Sequence, residues 1–304
     1  MTWTKDNIPD QSGKTALVTG ANSGIGYEIA LALYQKGAHV IIAARDQSKA
    51  AEAMEKMIKA GGSGKLETVW LELSSLKQVK EFADKIKKDH GRLDLLINNA
   101  GVMTPPKSKT TDGLELQFGV NFVGHFALTG HLYQLLKRTL GARVVTMSSG
   151  AHKSVVEIDF NNLRSENSYD ADREYGISKL ADLQFMAELQ RRINWAGDKI
   201  ISTAAHPGVT ESNLSRFMDE EVYKAAVEKF GALMPAWQGA LPVLYAATSM
   251  EVRGNDYYGP DGEHELKGYP APAILSEAAK DEQASKKLWE YAERITRVIF
   301  PTAT

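Results

Sequence analysis

The chain has no cysteine among its 304 residues. Disulfide bonds, thiolate metal sites and cysteine nucleophiles are therefore excluded. Its 7 histidines are scattered, and no two of them share the spacing that is typical of metal ligands. We therefore expect no metal centre in this protein.

A strong charge of one sign and long apolar runs are also absent. The net charge is -2 with a pI of about 6.4, which gives no electrostatic basis for binding nucleic acid. No apolar run approaches the roughly 18 residues of a membrane span. The first residues, "MTWTKDNIPDQSGKT", lack the charged-then-apolar pattern of a signal peptide. We expect a cytoplasmic protein without nucleic-acid or membrane partners.

Short apolar runs rich in β-forming residues alternate with segments of helical period. The runs are apolar on both faces, and strand–helix–strand order implies parallel pairing with right-handed crossovers. The predicted fold is α/β, a Rossmann-like, doubly wound parallel sheet with helices on both faces. The length of 304 residues suits a single domain, with a C-terminal extension from about residue 250. The predicted strands are 15–20, 39–44, 66–73, 93–101, 142–149 and 199–208. The predicted helices are 24–36, 48–60, 75–89, 112–139, 173–196 and 236–249.

The segment "TGANSGIG" (19–26) follows the first predicted strand and begins a helix. Its glycines permit a tight turn and a close approach of the backbone to a pyrophosphate, which the amides at the helix N-terminus would bind. The spacing is Gly-x-x-x-Gly-x-Gly, and a structural turn is the alternative. The strand before it and the helix after it favour a dinucleotide site. The predicted cofactor contacts here are Gly20, Asn22, Ser23, Gly24, Ile25 and Gly26.

The end of the second predicted strand bears on the choice between NADP and NAD. An NAD site needs a carboxylate there, whereas the sequence has Ala44 followed by Arg45, whose guanidinium suits a 2′-phosphate. A shift of one residue would instead make Asp46 a ribose ligand. NADP is therefore the preferred cofactor, with NAD as the alternative.

Three later strands also end in polar or chain-breaking residues. Ligands of doubly wound sheets bind beyond the carboxyl ends of the strands, so these residues are candidates for the site. They are Asn98, Asn99, Ala100 and Gly101 in "INNAG", Ser148 and Ser149 in "MSSGAH", and Pro207 and Gly208 in "HPG".

The segment "REYGISKLAD" (173–182) places Tyr175 and Lys179 four residues apart on a predicted helix. This spacing occurs by chance in many chains, but here it follows the other motifs in a fixed order. Together they resemble the short-chain dehydrogenase/reductase family over nearly the whole chain. "ANSGIGYEIA", "AARD" and "NFVGHFALT" are most similar to its retinol dehydrogenase and protochlorophyllide reductase-like group.

The resemblance implies an oxidoreductase that transfers a hydride between NADP(H) and a carbonyl compound or alcohol. The catalytic set that it implies is Ser149, Tyr175, Lys179 and Asn121. Further cofactor contacts that it implies are Glu72 and Leu73 beside the adenine, and Val209 and Ser212 after "HPG". The family often associates as dimers or tetramers through the helices that carry Asn121 and Tyr175, although monomers occur in this group.

The chemistry of carbonyl reduction supports these roles. A neutral tyrosine can donate a proton to the carbonyl oxygen as that oxygen gains charge, and Ser149 can hydrogen-bond to the same atom. We expect the Lys179 ammonium to lower the pKa of Tyr175 below the value of about 10 of a free tyrosine, and to hold the nicotinamide ribose. The alternative is a sensor that binds NADP without turnover, but such a protein has no chemical need for the full set.

Segment 210–237 lies where a lid over the substrate is expected. Its apolar side chains form either a substrate wall, an internal packing surface or a subunit interface. A substrate wall would imply an apolar ketone, aldehyde or alcohol. The side chains are Phe217, Met218, Val222, Tyr223, Phe230, Leu233, Met234 and Trp237.

Overall fold

A computed structural model of the chain describes residues 2–211, 221 and 231–301. Its strands are β1 (Thr15–Thr19), β2 (His39–Ala44), β3 (Lys65–Trp70), β4 (Leu95–Asn98), β5 (Arg143–Met147), β6 (Ile201–Ala205), β7 (Tyr257–Pro260) and β8 (Pro270–Pro272). They form one sheet in the order β3-β2-β1-β4-β5-β6-β7-β8. Strands β1 to β7 pair in parallel, and β8 is antiparallel to β7. The predicted doubly wound parallel sheet is confirmed.

Helices cover both faces of this sheet. They are α1 (Gly24–Gln35), α2 (Gln47–Ala60), α3 (Leu76–Asp89), α4 (Gly124–Lys137), α5 (Ala171–Trp195), α6 (Ala236–Gly239), α7 (Leu241–Thr248), α8 (Glu277–Lys280) and α9 (Glu282–Thr296). Successive side chains of a strand face opposite ways, so Leu17 packs with α3, α4 and α5, whereas Ala16 and Val18 pack with α1, α2 and α7. Both faces are therefore buried, which explains the unbroken apolar runs of the strands.

The helix predicted over 112–139 begins later than expected. Gly113 has a φ of +79°, which an α-helix does not allow, and the preceding residues form turns. The helical chain starts with a π-helical turn, Phe118–Val123, which leads into α4. The π-helical turn contains Asn121, so the local distortion lies at a predicted catalytic position.

The region after residue 250 completes the sheet. Strand β7 pairs in parallel with β6, placing Ala204 opposite Tyr257, and β8 closes the edge. The sequence analysis described this region only as an extension, because a strand of 4 residues that ends in Gly259 and Pro260 carries little β signal. Helix α9 then returns to pack on α5.

An aromatic cluster attaches α9 to the rest of the domain. Trp289 of α9 is 1% exposed, and its ring is stacked on Phe185 at an interplanar angle of 19°. The same ring contacts Phe126 of α4 and Phe300, with centroid distances of 4.8 and 4.9 Å. The C-terminal segment is therefore part of the same hydrophobic core as α4 and α5.

Replacing Trp289 should measure how much this cluster contributes to stability. We expect Trp289→Ala to lower the free energy of unfolding by about 3–5 kcal/mol, because it leaves a large cavity among aromatic rings. Chemical denaturation measures the change. Trp195→Ala is the matched control, since Trp195 is 70% exposed and its loss should cost no more than about 0.5 kcal/mol. Equal, small effects of the two variants would show that α9 lies outside the cooperative core.

Candidate active site

The glycine-rich loop lies where the strand order reverses between β1 and β4. A Cβ atom at Gly20 would lie 3.0 Å from the Cα of Ala100, and one at Gly26 would lie 2.5 Å from the carbonyl oxygen of Gly20. Gly24 has a φ of +54°, in the left-handed region. The loop can therefore pack this closely on "NNAG" and on α1 only with glycine at these positions.

The start of α1 fits the phosphates of a dinucleotide. Ser23 precedes the helix and, within the described part of the chain, makes no side-chain hydrogen bond to it. The amides of the first turn, which include Gly24 and Ile25, therefore remain suited to phosphate oxygens. An adjacent cleft of about 350 Å³ is lined by Asn22, Ser23, Gly24, Tyr27, Lys49, Glu52, Ala53 and Lys56. The two lysines of α2 add positive charge beside the loop, and the sequence analysis did not identify them.

A hydrogen-bonded network holds this loop, "NNAG" and α4 together. The Thr19 hydroxyl accepts the amides of Asn99 and Ala100, both at 2.9 Å, and lies 2.9 Å from His125 Nε2. His125 Nδ1 lies 2.8 Å from the carbonyl oxygen of Asn121, which can only accept, so Nδ1 carries the proton. Nε2 then accepts from Thr19, and burial lowers the pKa of His125 to about 4.

The roles of Thr19 and His125 are not predicted by the sequence motifs. A signal was present, because His125 is four residues after Asn121 and therefore shares its helix face.

The two asparagines of "INNAG" support the backbone of the loop. The Asn98 amide donates to the Thr129 hydroxyl of α4 at 3.1 Å, and the Asn99 amide donates to the carbonyl oxygen of Thr19 at 2.8 Å. Gly101 follows them, and a Cβ atom there would lie 3.3 Å from Asn121 Oδ1. The side chains of Asn98 and Asn99 are thus bonded to the protein, and Ala100 and Gly101 form the surface next to the glycine-rich loop.

The structure distinguishes the two serines that follow β5. The Ser148 hydroxyl is buried and donates to the carbonyl oxygen of Lys179 at 2.9 Å. Ser149 is half-buried, begins the short helix Gly150–Ser154 and interacts with the Tyr175 hydroxyl. Ser148 therefore joins β5 to α5, and Ser149 is the serine beside the tyrosine, as the sequence predicts.

Tyr175 and Lys179 lie on the same buried face of α5. Lys179 Nζ is 5.8 Å from the centroid of the Tyr175 ring, and the two residues are 4% and 7% exposed, the lysine being the more buried. The ammonium donates to the carbonyl oxygen of Met147 and to Asp182 Oδ2, both at 2.9 Å. The predicted pair is therefore brought together with Ser149 at the carboxyl end of β5.

The Lys179 ammonium acts on the pKa of Tyr175 in the expected direction, but it does not set the net shift. Burial raises the pKa above the ordinary value and outweighs the opposing effects of the Lys179 ammonium and the Ser149 hydroxyl. The carboxylate of Asp182 raises it further. Sequence reasoning counted the lysine alone, because neither burial nor the Asp182 contact is visible in the motif.

Asn121 connects the loop after β4 to α5. Its Oδ1 accepts the Val102 amide at 2.8 Å, and its Nδ2 donates to the Val102 carbonyl oxygen at 3.0 Å and to the Ser178 hydroxyl at 2.9 Å. The Ser178 hydroxyl in turn donates to the carbonyl oxygen of Tyr175. Asn121 thus lies in the site as predicted, and its expected role in proton return stays a prediction.

The end of β2 brings Arg45 together with Glu72. Arg45 Nη1 lies 3.5 Å from Glu72 Oε2, and Glu72 also accepts the Ser74 amide. Asp46 caps α2 by accepting the Lys49 amide at 3.0 Å. Asp46 is therefore used as a helix cap, while the Arg45 side chain is 72% exposed at the sheet edge.

The adenine side of the expected site includes Leu73, which is buried. A Cβ atom at Gly124 would lie 2.6 Å from the carbonyl oxygen of Leu73, so the backbone here packs directly on α4.

The "HPG" turn forms the base of the predicted lid. After Pro207, Gly208 has a φ of +68°, and the Val209 amide donates to the carbonyl oxygen of Leu266 at 2.8 Å. The Met234 amide donates to the carbonyl oxygen of Val209 at 3.0 Å. The two ends of segment 210–237 therefore lie side by side.

The middle of that segment is not described. Ser212 and the apolar residues Phe217, Met218, Val222, Tyr223 and Phe230 lie outside the described residues. Met234 is buried and Leu233 is half-buried, whereas Trp237 lines a small cavity with Leu31 of α1 and Leu241 of α7. Trp237 thus lies against the helical layer of α1.

No helix within residues 2–211 and 231–301 has the length and apolarity to cross a membrane.

The known proteins that are similar to this chain belong to one family. A family model described as short chain dehydrogenase matches residues 14–222. Retinol dehydrogenase 14 of Mus musculus is 38% identical over 94% of this chain and 87% of its own length. Retinol dehydrogenase 13 of Homo sapiens is 36% identical over 98% of this chain and 88% of its own length.

Two solved structures extend this comparison. An uncharacterised protein from Mycobacterium paratuberculosis has a TM-score of 0.83 and 37% identity, covering 99% of this chain and 100% of that one. A complex of Pseudomonas aeruginosa RhlG with NADP has a TM-score of 0.68 and 26% identity, covering 84% of this chain and 97% of that one.

The match over residues 14–222 includes the glycine-rich loop and all four predicted catalytic residues. The predicted similarity to the retinol dehydrogenase group is confirmed by the relatives. The chain belongs to the short-chain dehydrogenase family and is an oxidoreductase of the nicotinamide-dependent type that acts on CH–OH donors.

Proposed function

We propose that the protein is an NADP(H)-dependent alcohol dehydrogenase or carbonyl reductase whose substrate is an apolar alcohol, aldehyde or ketone. One observation carries the proposal. Ser149, Tyr175 and Lys179 converge at the carboxyl end of β5, on the sheet edge that also carries the glycine-rich loop. A proton donor is thus placed beside a dinucleotide site, as hydride transfer to a carbonyl group requires.

Tyr175 and Ser149 act on the substrate oxygen in this proposal. The bound nicotinamide ring supplies or accepts the hydride. Tyr175, whose pKa is raised, holds its proton at neutral pH and donates it to the oxygen of the carbonyl group during reduction. Ser149 donates a hydrogen bond to the same oxygen, where negative charge develops. In alcohol oxidation the same residues act in reverse.

Lys179 provides positive charge beneath the tyrosine. Its ammonium stabilises the phenolate form that Tyr175 takes after it gives up its proton. The remaining donor of its ammonium group is suited to a ribose hydroxyl, since Met147 and Asp182 occupy two of three.

The basic residues around the end of β2 support NADP over NAD. Arg45 is exposed at the sheet edge, and Lys49 lies in the cleft beside the glycine-rich loop. Asp46, the competing ribose ligand, caps α2. We therefore assign the 2′-phosphate to Arg45 and Lys49; Asn22 and Ser23 line the same cleft as Lys49.

The relatives support an apolar substrate. Two of them are named as retinol dehydrogenases, and retinol is a long apolar primary alcohol. The lid segment of this chain is rich in apolar residues, in keeping with such a substrate. The most direct experiment is a panel of apolar aldehydes, apolar ketones and polar sugars with NADPH and NADH, which we expect to favour an apolar carbonyl compound with NADPH.

The alternative function is that of a sensor that binds the cofactor without turnover. The complete set of Ser149, Tyr175, Lys179 and Asn121 argues against it, since binding alone needs no proton donor. Turnover of any carbonyl compound that depends on Tyr175 would exclude the sensor. The cytoplasmic location and the oligomeric state stay predictions.

Replacing Tyr175 tests the proton donor. We expect Tyr175→Phe to lower kcat for carbonyl reduction by roughly a hundredfold or more while NADPH binding is retained, because only the proton-transfer group is removed. Steady-state kinetics and the fluorescence of bound NADPH measure the two properties. Tyr245→Phe is the control, since the Tyr245 hydroxyl bonds to Glu251 on the far helical layer. Normal turnover by Tyr175→Phe would show that another group donates the proton.

Replacing Arg45 tests the cofactor preference. We expect Arg45→Ala to weaken NADPH binding about tenfold, because one charge-assisted hydrogen bond to phosphate is lost, and to leave NADH binding unchanged. Lys49→Ala should act in the same direction. Lys286→Ala, which removes an exposed charge on α9, is the control. An equal loss for both cofactors would contradict the assignment of the 2′-phosphate.

A further inference from the structure

The family motif does not account for Asp182, a carboxylate buried in α5. Asp182 is 1% exposed and lies three residues after Lys179. Burying a charge is costly unless it is paired, and a buried ion pair contributes little to stability on balance. The position of this pair beside Tyr175 therefore calls for an explanation in terms of the reaction.

The bonding of Asp182 is directed to the lysine alone. Its Oδ2 accepts from Lys179 Nζ at 2.9 Å, and its Oδ1 has no hydrogen-bond partner among the described residues. The ammonium is held on its other side by the carbonyl oxygen of Met147. Lys179 is thus fixed between α5 and the end of β5, with its charge opposed by one carboxylate.

We propose that Asp182 is a positioning residue that fixes the Lys179 ammonium beside Tyr175 and offsets its positive charge. The inference rests on the proposed function for its consequence, because it concerns the proton that Tyr175 transfers.

Two ionisable side chains have opposite effects on the proton of Tyr175. Lys179 and Asp182 of α5 are the ionisable groups that act on it, and the segment after β5 adds the neutral Ser149 hydroxyl. Burial raises the pKa of Asp182 to about 7 against the opposing effect of Lys179, so its carboxylate is fully charged at the alkaline pH at which Tyr175 titrates.

Of the neighbouring elements, the loop before β8 presents the charged Glu265, which is paired with Lys153. The remaining neighbours present neutral groups. His125 of α4 and His152 after β5 both have pKa values lowered by burial, and the phenol of Tyr257 on β7 has a raised pKa.

The proposal predicts that the two directions of the reaction prefer different pH ranges. A protonated Tyr175 is ready to donate to a carbonyl oxygen at neutral pH, whereas alcohol oxidation needs the phenolate and is confined to more alkaline pH. Removing the carboxylate would leave the ammonium unopposed. Because an ammonium within about 4–6 Å favours the phenolate, the pKa of Tyr175 would then fall.

Asp182→Asn provides the test, since asparagine keeps an oxygen that accepts from Lys179 but removes the charge. Tyrosinate absorbance is titrated in the protein without cofactor, with and without Tyr175→Phe in each background, so that the difference reports Tyr175. We expect the midpoint to fall by about one pH unit in Asp182→Asn. The acid limb of kcat/KM for alcohol oxidation should move in the same direction by a similar amount.

Glu188→Gln is the matched control. Glu188 is a carboxylate on the same helix that pairs with Arg191 and Arg192, and its replacement should leave the Tyr175 midpoint unchanged. An unchanged or higher midpoint in Asp182→Asn overturns the proposal. The titration requires no turnover, so a failure of the proposed function would appear separately, as normal catalysis by Tyr175→Phe.

A double variant keeps the test decisive if Asp182→Asn does not fold. Lys179→Met with Asp182→Leu replaces the buried pair by apolar groups of similar size, which cores tolerate. If Asp182 offsets the lysine, the Tyr175 midpoint stays close to that of the unmodified protein. A midpoint well above that of the unmodified protein would show that the carboxylate offsets nothing of the lysine's charge.

Discussion

The Thr19 hydroxyl makes the contact on which the site depends. Strands β1 and β4 are neighbours, but the chain leaves them toward helices on opposite faces of the sheet, so their ends diverge. Thr19 bridges this gap by accepting two amides from "NNAG" and donating to His125. The glycine-rich loop, the start of α4 and Asn121 are all positioned through it. A hydroxyl suits this place because it accepts and donates at once.

Helix α5 meets a different constraint, because it is buried along most of its length. Its polar residues therefore need partners within the protein. Ser178 bonds to Asn121 and to the helix backbone, and Lys179 bonds to Met147 and Asp182. Each of these contacts also orients a group of the candidate site. The burial that makes the bonds obligatory is also the main cause of the raised pKa of Tyr175.

The sequence predicted those parts of the structure that depend on local pattern. The strand ends, the glycine-rich loop and the choice of Ser149 over Ser148 follow from motifs and their order. The late start of the helix that leads into α4 could not be predicted in this way. The helical pattern of the sequence continues through Gly113, and only the positive φ of that residue shows the break. Strand β7 could not be predicted either, because its residues carry little β signal of their own. It is a strand because it pairs with β6.

Electrostatics was the least predictable part of the site. The tyrosine–lysine spacing alone indicated a lowered pKa of Tyr175, whereas burial and Asp182 reverse the direction. The choice between Arg45 and Asp46 was likewise open, because a one-residue shift in a strand end cannot be judged from sequence. The capping bond from the Lys49 amide to Asp46 is a local contact that bears on this choice, because it depends on where the helix begins.

The predicted lid is supported by backbone hydrogen bonds at both of its described ends. Val209 pairs with both Leu266 and Met234, so the lid is attached to the turn after β6 and to the loop before β8. Glu265 of that loop accepts from Lys153, beside Ser149, and from the Ile274 amide. Burial raises the pKa of Glu265, but hydrogen bonds from His206 and Lys153 outweigh it and hold the pKa at about 2. The carboxylate is therefore charged throughout the working range of pH. Lys153, four residues after Ser149, is thus bonded to the same loop that supports the predicted lid. The supporting bonds of Val209 are made by backbone atoms, so they do not depend on which side chains the predicted lid carries.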